Sequence, residues 1–147
     1  LEGEKSPSFL YEVTTSCKYR CGVNTMKGLI KAVLLKAPST EGTFNNKPQG
    51  WGVTLAFGEL PEDLLAQEGE IIKVGLGPYF KGQETDCLRA VLPEGLTSPN
   101  TPHITLSWDE GSAPVVAGKE LNASGLGSPK ADEVIWVEAQ IVVTIFN

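Results

Sequence analysis

The sequence predicts a single α+β domain of about six strands and two short helices. Three observations carry that expectation. The chain has 147 residues, the usual size of one domain, and 41% of them are hydrophobic against 20% charged, which suits a buried core. Its apolar residues fall in short, strand-length runs. Stretches rich in Pro, Gly, Ser, Thr and Asn at 37–50 and 93–102 separate those runs, and none is long enough to link two domains.

The elements follow in order. Leu1 to Thr15 is polar and turn-rich apart from Phe9-Leu10-Tyr11 and reads as a flexible entry, or at best an edge strand, with 1–26 the candidate entry segment of the domain at 1–147. Leu1 stands where an initiator Met would, which suggests an excised piece of a larger protein. Lys27 to Lys36 holds Leu29, Ile30, Ala32, Val33, Leu34 and Leu35 and predicts the first strand. Trp51 to Phe57 predicts the second, and Pro61-Glu62-Asp63 the start of a short helix, where the dipole favours acids. Ile71 to Leu76 and Cys87 to Leu92 read as strands joined by a turn at Gly77 to Gly82. His103 to Trp108 is a further strand, and Ser112 to Leu121 a helix with Ser112 as N-cap. Val134 to Phe146 closes the chain as one long strand or a hairpin.

Charge and composition exclude several functions. A net charge of −6, from 18 acids and 12 bases, disfavours tracking along a nucleic-acid backbone, which needs cations to displace counterions. A pocket for one terminal phosphate needs only a few donors and stays open. No apolar run reaches the roughly 20 residues that span a bilayer, and the first residues lack a signal peptide's apolar stretch. Cys17, Cys21 and Cys87 form no Cys-x-x-Cys pair, and with one His they make no zinc tetrad, so no metal is expected. A Cys17–Cys21 disulfide would need an oxidising compartment, and the triplet Asn122-Ala123-Ser124 is a weak secretion signal. Reduced thiols in a cytoplasmic or nuclear protein are the preferred reading. There is no phosphate-binding Gly-x-x-x-x-Gly-Lys-Ser/Thr loop and no Lys-x-Asp-Gly, so neither nucleotide kinase nor covalent nucleotidyltransferase chemistry is expected.

The informative feature is a pair of similar strands, Gly52-Val53-Thr54-Leu55 and His103-Ile104-Thr105-Leu106. Because residues i and i+2 of a strand share a face, His103 and Thr105 project together, as do Gly52 and Thr54. The segment Pro102-His103-Ile104-Thr105-Leu106-Ser107-Trp108, the stretch Ala117-Gly118-Lys119-Glu120-Leu121 and the last strand resemble the two-histidine phosphoesterases. The likeness runs from about Gly50 to Asn147. Within that superfamily it is nearest the cyclic phosphodiesterase domain of tRNA ligases and vertebrate 2′,3′-cyclic-nucleotide phosphodiesterase. The resemblance implies a bilobal, two-sheet domain with a central cleft and short helices. It also implies hydrolysis of 2′,3′-cyclic phosphate ends of RNA or cyclic nucleotides to 2′-phosphates, with no cofactor. In that chemistry one imidazole takes a proton from water and the other protonates the leaving ribose oxygen, while two threonine hydroxyls hold the phosphate. Carried onto this chain, His103 is catalytic and Thr105 and Thr54 bind phosphate, but the other histidine's position holds Gly52. Loss of one proton-transfer partner costs about 10²–10⁴ in rate, so activity is expected to be impaired.

Gly52 admits three readings: an engineered replacement, natural degeneration to a binding domain, or a mistaken pairing of strands. Glycine inside a strand is locally unfavourable, which favours a lost side chain. Trp51, Tyr79, Phe80 and Trp108 are candidates for stacking on a base, although aromatics near strand ends more often serve the core or its rim. Lys36, Lys73 and Lys81 are candidate phosphate partners on charge alone, and Asp109-Glu110 reads as a solvated turn. The threonines are residues that strands favour anyway, and His103 reads equally as an ordinary hydrogen-bonded histidine. The competing function is a non-catalytic binding module: a degenerate binder of phosphate ends, or an unrelated β-rich domain for carbohydrate or protein.

Overall fold

The computed structural model describes residues 26–146. Along the chain come β1 (Lys27–Leu34), β2 (Gly52–Glu59), a one-turn helix α1 (Glu62–Leu65), β3 (Ile71–Lys81), β4 (Thr85–Val91), β5 (His103–Trp108), α2 (Val116–Ser124), a 3-10 turn at Ala131–Glu133 and β6 (Ile135–Ile145). All six strands join one antiparallel sheet in the order β2-β1-β6-β3-β4-β5. The two edge strands, β2 and β5, come close together, so the sheet nearly closes on itself. The architecture is therefore mostly β with few helices, compatible with the α+β expectation. The lead-in, its Phe9-Leu10-Tyr11 patch and Cys17 and Cys21 lie outside the described residues, Met26 excepted.

The main core sits on one face of the curled sheet. Ile30, Ala32 and Leu34 of β1 point into it, with Val53 and Leu55 of β2, Val74 of β3, Ala90 of β4, Ile104 of β5 and Ala139 and Ile141 of β6. Leu64 and Leu65 of α1 plug it from one side. A smaller cluster lies on the opposite face, where Ala117 and Leu121 of α2 cover Cys87, with Phe80 beside them. Burial, reinforced by the charges of Asp86 and Glu120, pushes the Cys87 thiol up to about 12, so it stays protonated and a poor nucleophile.

Two bulges decide which side chains face where. The β1–β2 register shifts between Ile30 and Lys31, so Leu55 and Ala56 both turn inward. Strict alternation would have buried Phe57. It is instead 68% exposed and meets Phe146 edge-on, with ring centroids 5.6 Å apart. The β4–β5 register shifts between Asp86 and Cys87, and there Leu106 and Ser107 are both buried.

Three sequence expectations change. Gly77 to Lys81 is not a turn: β3 runs through it with an irregularity between Leu76 and Tyr79, and the turn falls at 82–84. Gly77 is needed there, because a Cβ would lie 2.6 Å from Pro129 Cγ and 2.9 Å from the Arg89 carbonyl oxygen. The helix expected from Ser112 begins four residues later, after turns in which Val116 N donates to Ala113 O and Ala117 N to Pro114 O. Ser112 is no cap; its hydroxyl is buried without a partner among the described residues. Ile135–Ile145 forms one strand, paired with β3 over its first half and with β1 over its second, so the hairpin alternative falls.

Candidate functional site

Ile104 packs in the main core, so His103 and Thr105 emerge on the opposite face of β5, the one that α2 covers. The imidazole lies under α2: a Cβ added at Gly118 would sit 3.1 Å from His103 Cε1 and 3.2 Å from Asn100 Nδ2. Gly118 therefore makes room for the ring. His103 Nδ1 is 2.8 Å from the Thr101 carbonyl oxygen. A carbonyl only accepts, so Nδ1 carries the proton and Nε2 is left as an acceptor. The loop that supplies this carbonyl is tied to α2, since Thr101 N donates to Asn122 Oδ1 at 3.2 Å and Asn122 Nδ2 to Asn100 Oδ1 at 3.2 Å.

Burial lowers the affinity of His103 for a proton; the Thr101 carbonyl opposes this, and the positive charge of Lys31 adds to the lowering. The neutral ring is thus favoured near neutral pH. A proton NMR titration of Cε1 is expected to give a midpoint below the ordinary 6.5. As pH falls through that window, the unfolded chain takes up a proton that the folded one refuses, so stability should decline with acidification and level off below the folded midpoint. A midpoint at or above 6.5 would contradict the buried, neutral ring.

Lys31 links the two edges of the sheet. It stands opposite Thr54 in the β1–β2 register, and Thr54, like Gly52, points away from the core that Val53 and Leu55 enter. Thr54, Lys31, His103 and Thr105 thus all lie on the non-core face, β2 approaches β5 as a strand, and the charge of Lys31 reaches His103. The hydroxyls of Thr54 and Thr105, the Lys31 ammonium and His103 Nε2 make no hydrogen bond to any described residue.

Gly52 is in tight contact. A Cβ there would lie 2.7 Å from the Ala32 carbonyl oxygen and 3.2 Å from Val33 Cα, both on the backbone of the neighbouring strand. Read from the sequence alone, a strand glycine favours a lost side chain. The close approach of β1 supplies a steric reason for glycine instead, and weighs against position 52 as a place that once simply held an imidazole.

The aromatic candidates do not form a common platform. Trp51 packs against the main core and Phe80 against the α2 cluster. The Tyr79 hydroxyl bonds Asp86, and half-buried Trp108 exchanges backbone hydrogen bonds with Asn46. The Lys81 ammonium sits 5.5 Å over the Phe44 ring, while Lys36 and Lys73 line a separate cavity.

Sequence reasoning missed two carboxylates. Asp86, fully buried, accepts from Thr43 N at 2.8 Å and Thr43 Oγ1 at 3.0 Å, from the Tyr79 hydroxyl, and through its other oxygen from Ser107 Oγ. Phe44 N in turn donates to Ser107 Oγ at 2.9 Å. Burial alone would raise the Asp86 carboxyl, but these donors hold it below its usual range. Glu120 of α2 accepts from Gln83 N at 2.9 Å, from Glu84 N and Thr85 N at 3.1 Å, and from the Thr85 hydroxyl. Asp86 clamps the loop at Thr43 onto the sheet, and Glu120 ties the β3–β4 turn to α2. An aspartate inside a strand run, Thr85-Asp86-Cys87-Leu88, was the available signal for the first.

Among the described residues no helix is long and apolar enough to cross a membrane, and no group of three or more His, Cys, Asp or Glu could hold a metal. Comparison with protein-family models, with curated proteins and with solved structures yields no match.

Proposed function

We propose that this domain binds phosphate ends, the 2′,3′-cyclic or 2′-phosphates of RNA 3′ ends and nucleotides, along the seam between β2 and β5, with turnover weak or absent. The observation that carries the reading is the set of unclaimed polar groups there. Two threonine hydroxyls can donate to non-bridging oxygens, and the Lys31 ammonium supplies the opposite charge in a chain of net charge −6. His103 Nε2, a bare acceptor, can take the proton of a phosphate or ribose hydroxyl. Mapped onto the sheet, the two-lobed arrangement of the resembled phosphoesterases would divide it into β2-β1-β6 and β3-β4-β5, each half presenting its edge strand to the site. An intracellular setting that keeps Cys87 reduced belongs to the same reading.

One imidazole without a second proton-transfer group leaves hydrolysis slower by about 10²–10⁴ than in a two-histidine enzyme, which is why binding is the proposed role. The test is calorimetric titration with adenosine 2′-phosphate, alongside the Thr54→Val/Thr105→Val and His103→Ala variants. The parent is expected to bind, and each variant to bind about tenfold more weakly, as loss of one or two charge-assisted hydrogen bonds implies. Equal affinity in all three, or none in the parent, would remove the seam as the site. Chromatography of 2′,3′-cyclic adenosine phosphate after incubation reports the turnover.

A further inference from the structure

Where β1 ends, the chain leaves the sheet. Leu34 is the last residue of β1 paired with β6, and beyond it the loop at 35–40 departs while β6 keeps only β3 as neighbour. The gap is a cavity of about 640 Å³, within the range of small-molecule pockets. Its apolar wall includes Leu76 and Leu88, and at its rim are Ile135, 73% exposed, and Trp136, 45% exposed. Exposed side chains of that size on one strand end call for an explanation. Among the described residues the only cations lining it are Lys36 and Lys73, and neither makes a hydrogen bond or ion pair with another of them. Glu138, opposite Lys73 in the β3–β6 register, is the one acid among the described residues that line it.

We infer that this cavity binds a flat aromatic molecule carrying a negatively charged group. The aromatic body fits an apolar wall with an indole at its rim, because such rings gain from both area and stacking. The anionic group is selected by two unpaired ammoniums against one carboxylate, a local excess of positive charge on an acidic protein. A lysine ammonium is a point charge and does not distinguish carboxylate from phosphate by shape, so the shared chemistry is an aryl anion. The site is separate from the β2–β5 seam and shares no residue with it.

The experiment titrates the protein with two aryl anions, indole-3-acetate and adenosine 5′-monophosphate, beside their neutral counterparts tryptophol and adenosine, at low salt. At least one anion should bind, and more tightly than its neutral counterpart; whichever binds identifies a carboxylate or a phosphate head. Trp136→Ala should weaken that binding by about tenfold, the usual cost of losing one aromatic stack. Lys36→Ser/Lys73→Ser should weaken it by about fivefold, as exposed charge pairs do, and added salt should erase the difference. All these residues are surface-exposed, so the variants should fold, and circular dichroism checks it. Thr54→Val/Thr105→Val should leave this binding unchanged, which separates it from phosphate capture at the seam. Binding indifferent to charge, insensitive to both cavity variants, abolished by the threonine variant, or absent for both anions would overturn the inference.

Discussion

Asp86→Ala is expected to destabilise the fold by about 3–5 kcal/mol, the range for stripping a buried charged acceptor from its donors. The substitution would leave the hydroxyls of Ser107 and Tyr79 and both the hydroxyl and backbone N–H of Thr43 without their acceptor. It would also release the loop at 42–44, whose attachment to the sheet runs through Asp86, Ser107 and the Asn46–Trp108 bridge. Asp86→Asn keeps the shape and one acceptor, and since hydroxyls can rotate it should cost less, about 1–2 kcal/mol. Urea denaturation gives both values. The carboxyl is held below its ordinary 3.8, so the parent's stability from this group is complete above that pH and is lost as pH falls toward the folded value. Asp86→Asn should remove that acid-side slope. An Asp86→Ala protein within about 1 kcal/mol of the parent would mean that water replaces the carboxylate freely.

Much of the sheet was legible because burial leaves a period-two imprint. Ile30, Ala32 and Leu34 alternate inward along β1, and Ile104 separates His103 from Thr105 on β5, as the sequence predicts. What could not be read depended on register shifts and on partners distant in sequence. Phe57 looks like a core residue until the bulge opposite Ile30 turns it out. Gly77-Pro78 has the composition of a turn, and only the packing of Pro129 and Arg89 on Gly77 shows why β3 continues through it. Ser112 followed by Pro114 has the look of a helix start, yet α2 begins at Val116 because 3-10-type turns intervene.

The candidate site was legible to the same depth. Strand alternation put His103, Thr105, Thr54 and Gly52 on non-core faces. It did not reveal Lys31, whose place in the seam depends on its register with Thr54, nor Gly118, whose missing side chain accommodates the imidazole. Asp86 and Glu120 escaped because their donors come from residues 35 to 43 positions away as well as from near neighbours.

Gly52→His separates the steric reading of that glycine from the reading as a lost catalytic residue. The obstruction lies at Cβ, 2.7 Å from the Ala32 carbonyl oxygen and 3.2 Å from Val33 Cα, and both obstacles are backbone atoms of a strand paired on its other side with β6. Neither can swing aside as the end of a flexible side chain would. Gly52→His should therefore destabilise the protein by about 1–3 kcal/mol or more, the usual cost of forcing extra atoms into a packed site. Gly52→Ala should cost nearly as much, because it carries the same Cβ; that equality marks strain at the backbone rather than a misfitting ring. Urea midpoints of the two variants give the comparison, and incubation with a 2′,3′-cyclic nucleotide tests function, with little or no 2′-phosphate expected. The opposite result is equally definite. Suppose that Gly52→His is as stable as the parent and hydrolyses the cyclic phosphate with a bell-shaped pH profile, the mark of one acid and one base acting together. Then β1 yields readily, and two imidazoles face one phosphate. The domain would be a hydrolase lacking one side chain, and binding without turnover would no longer describe it.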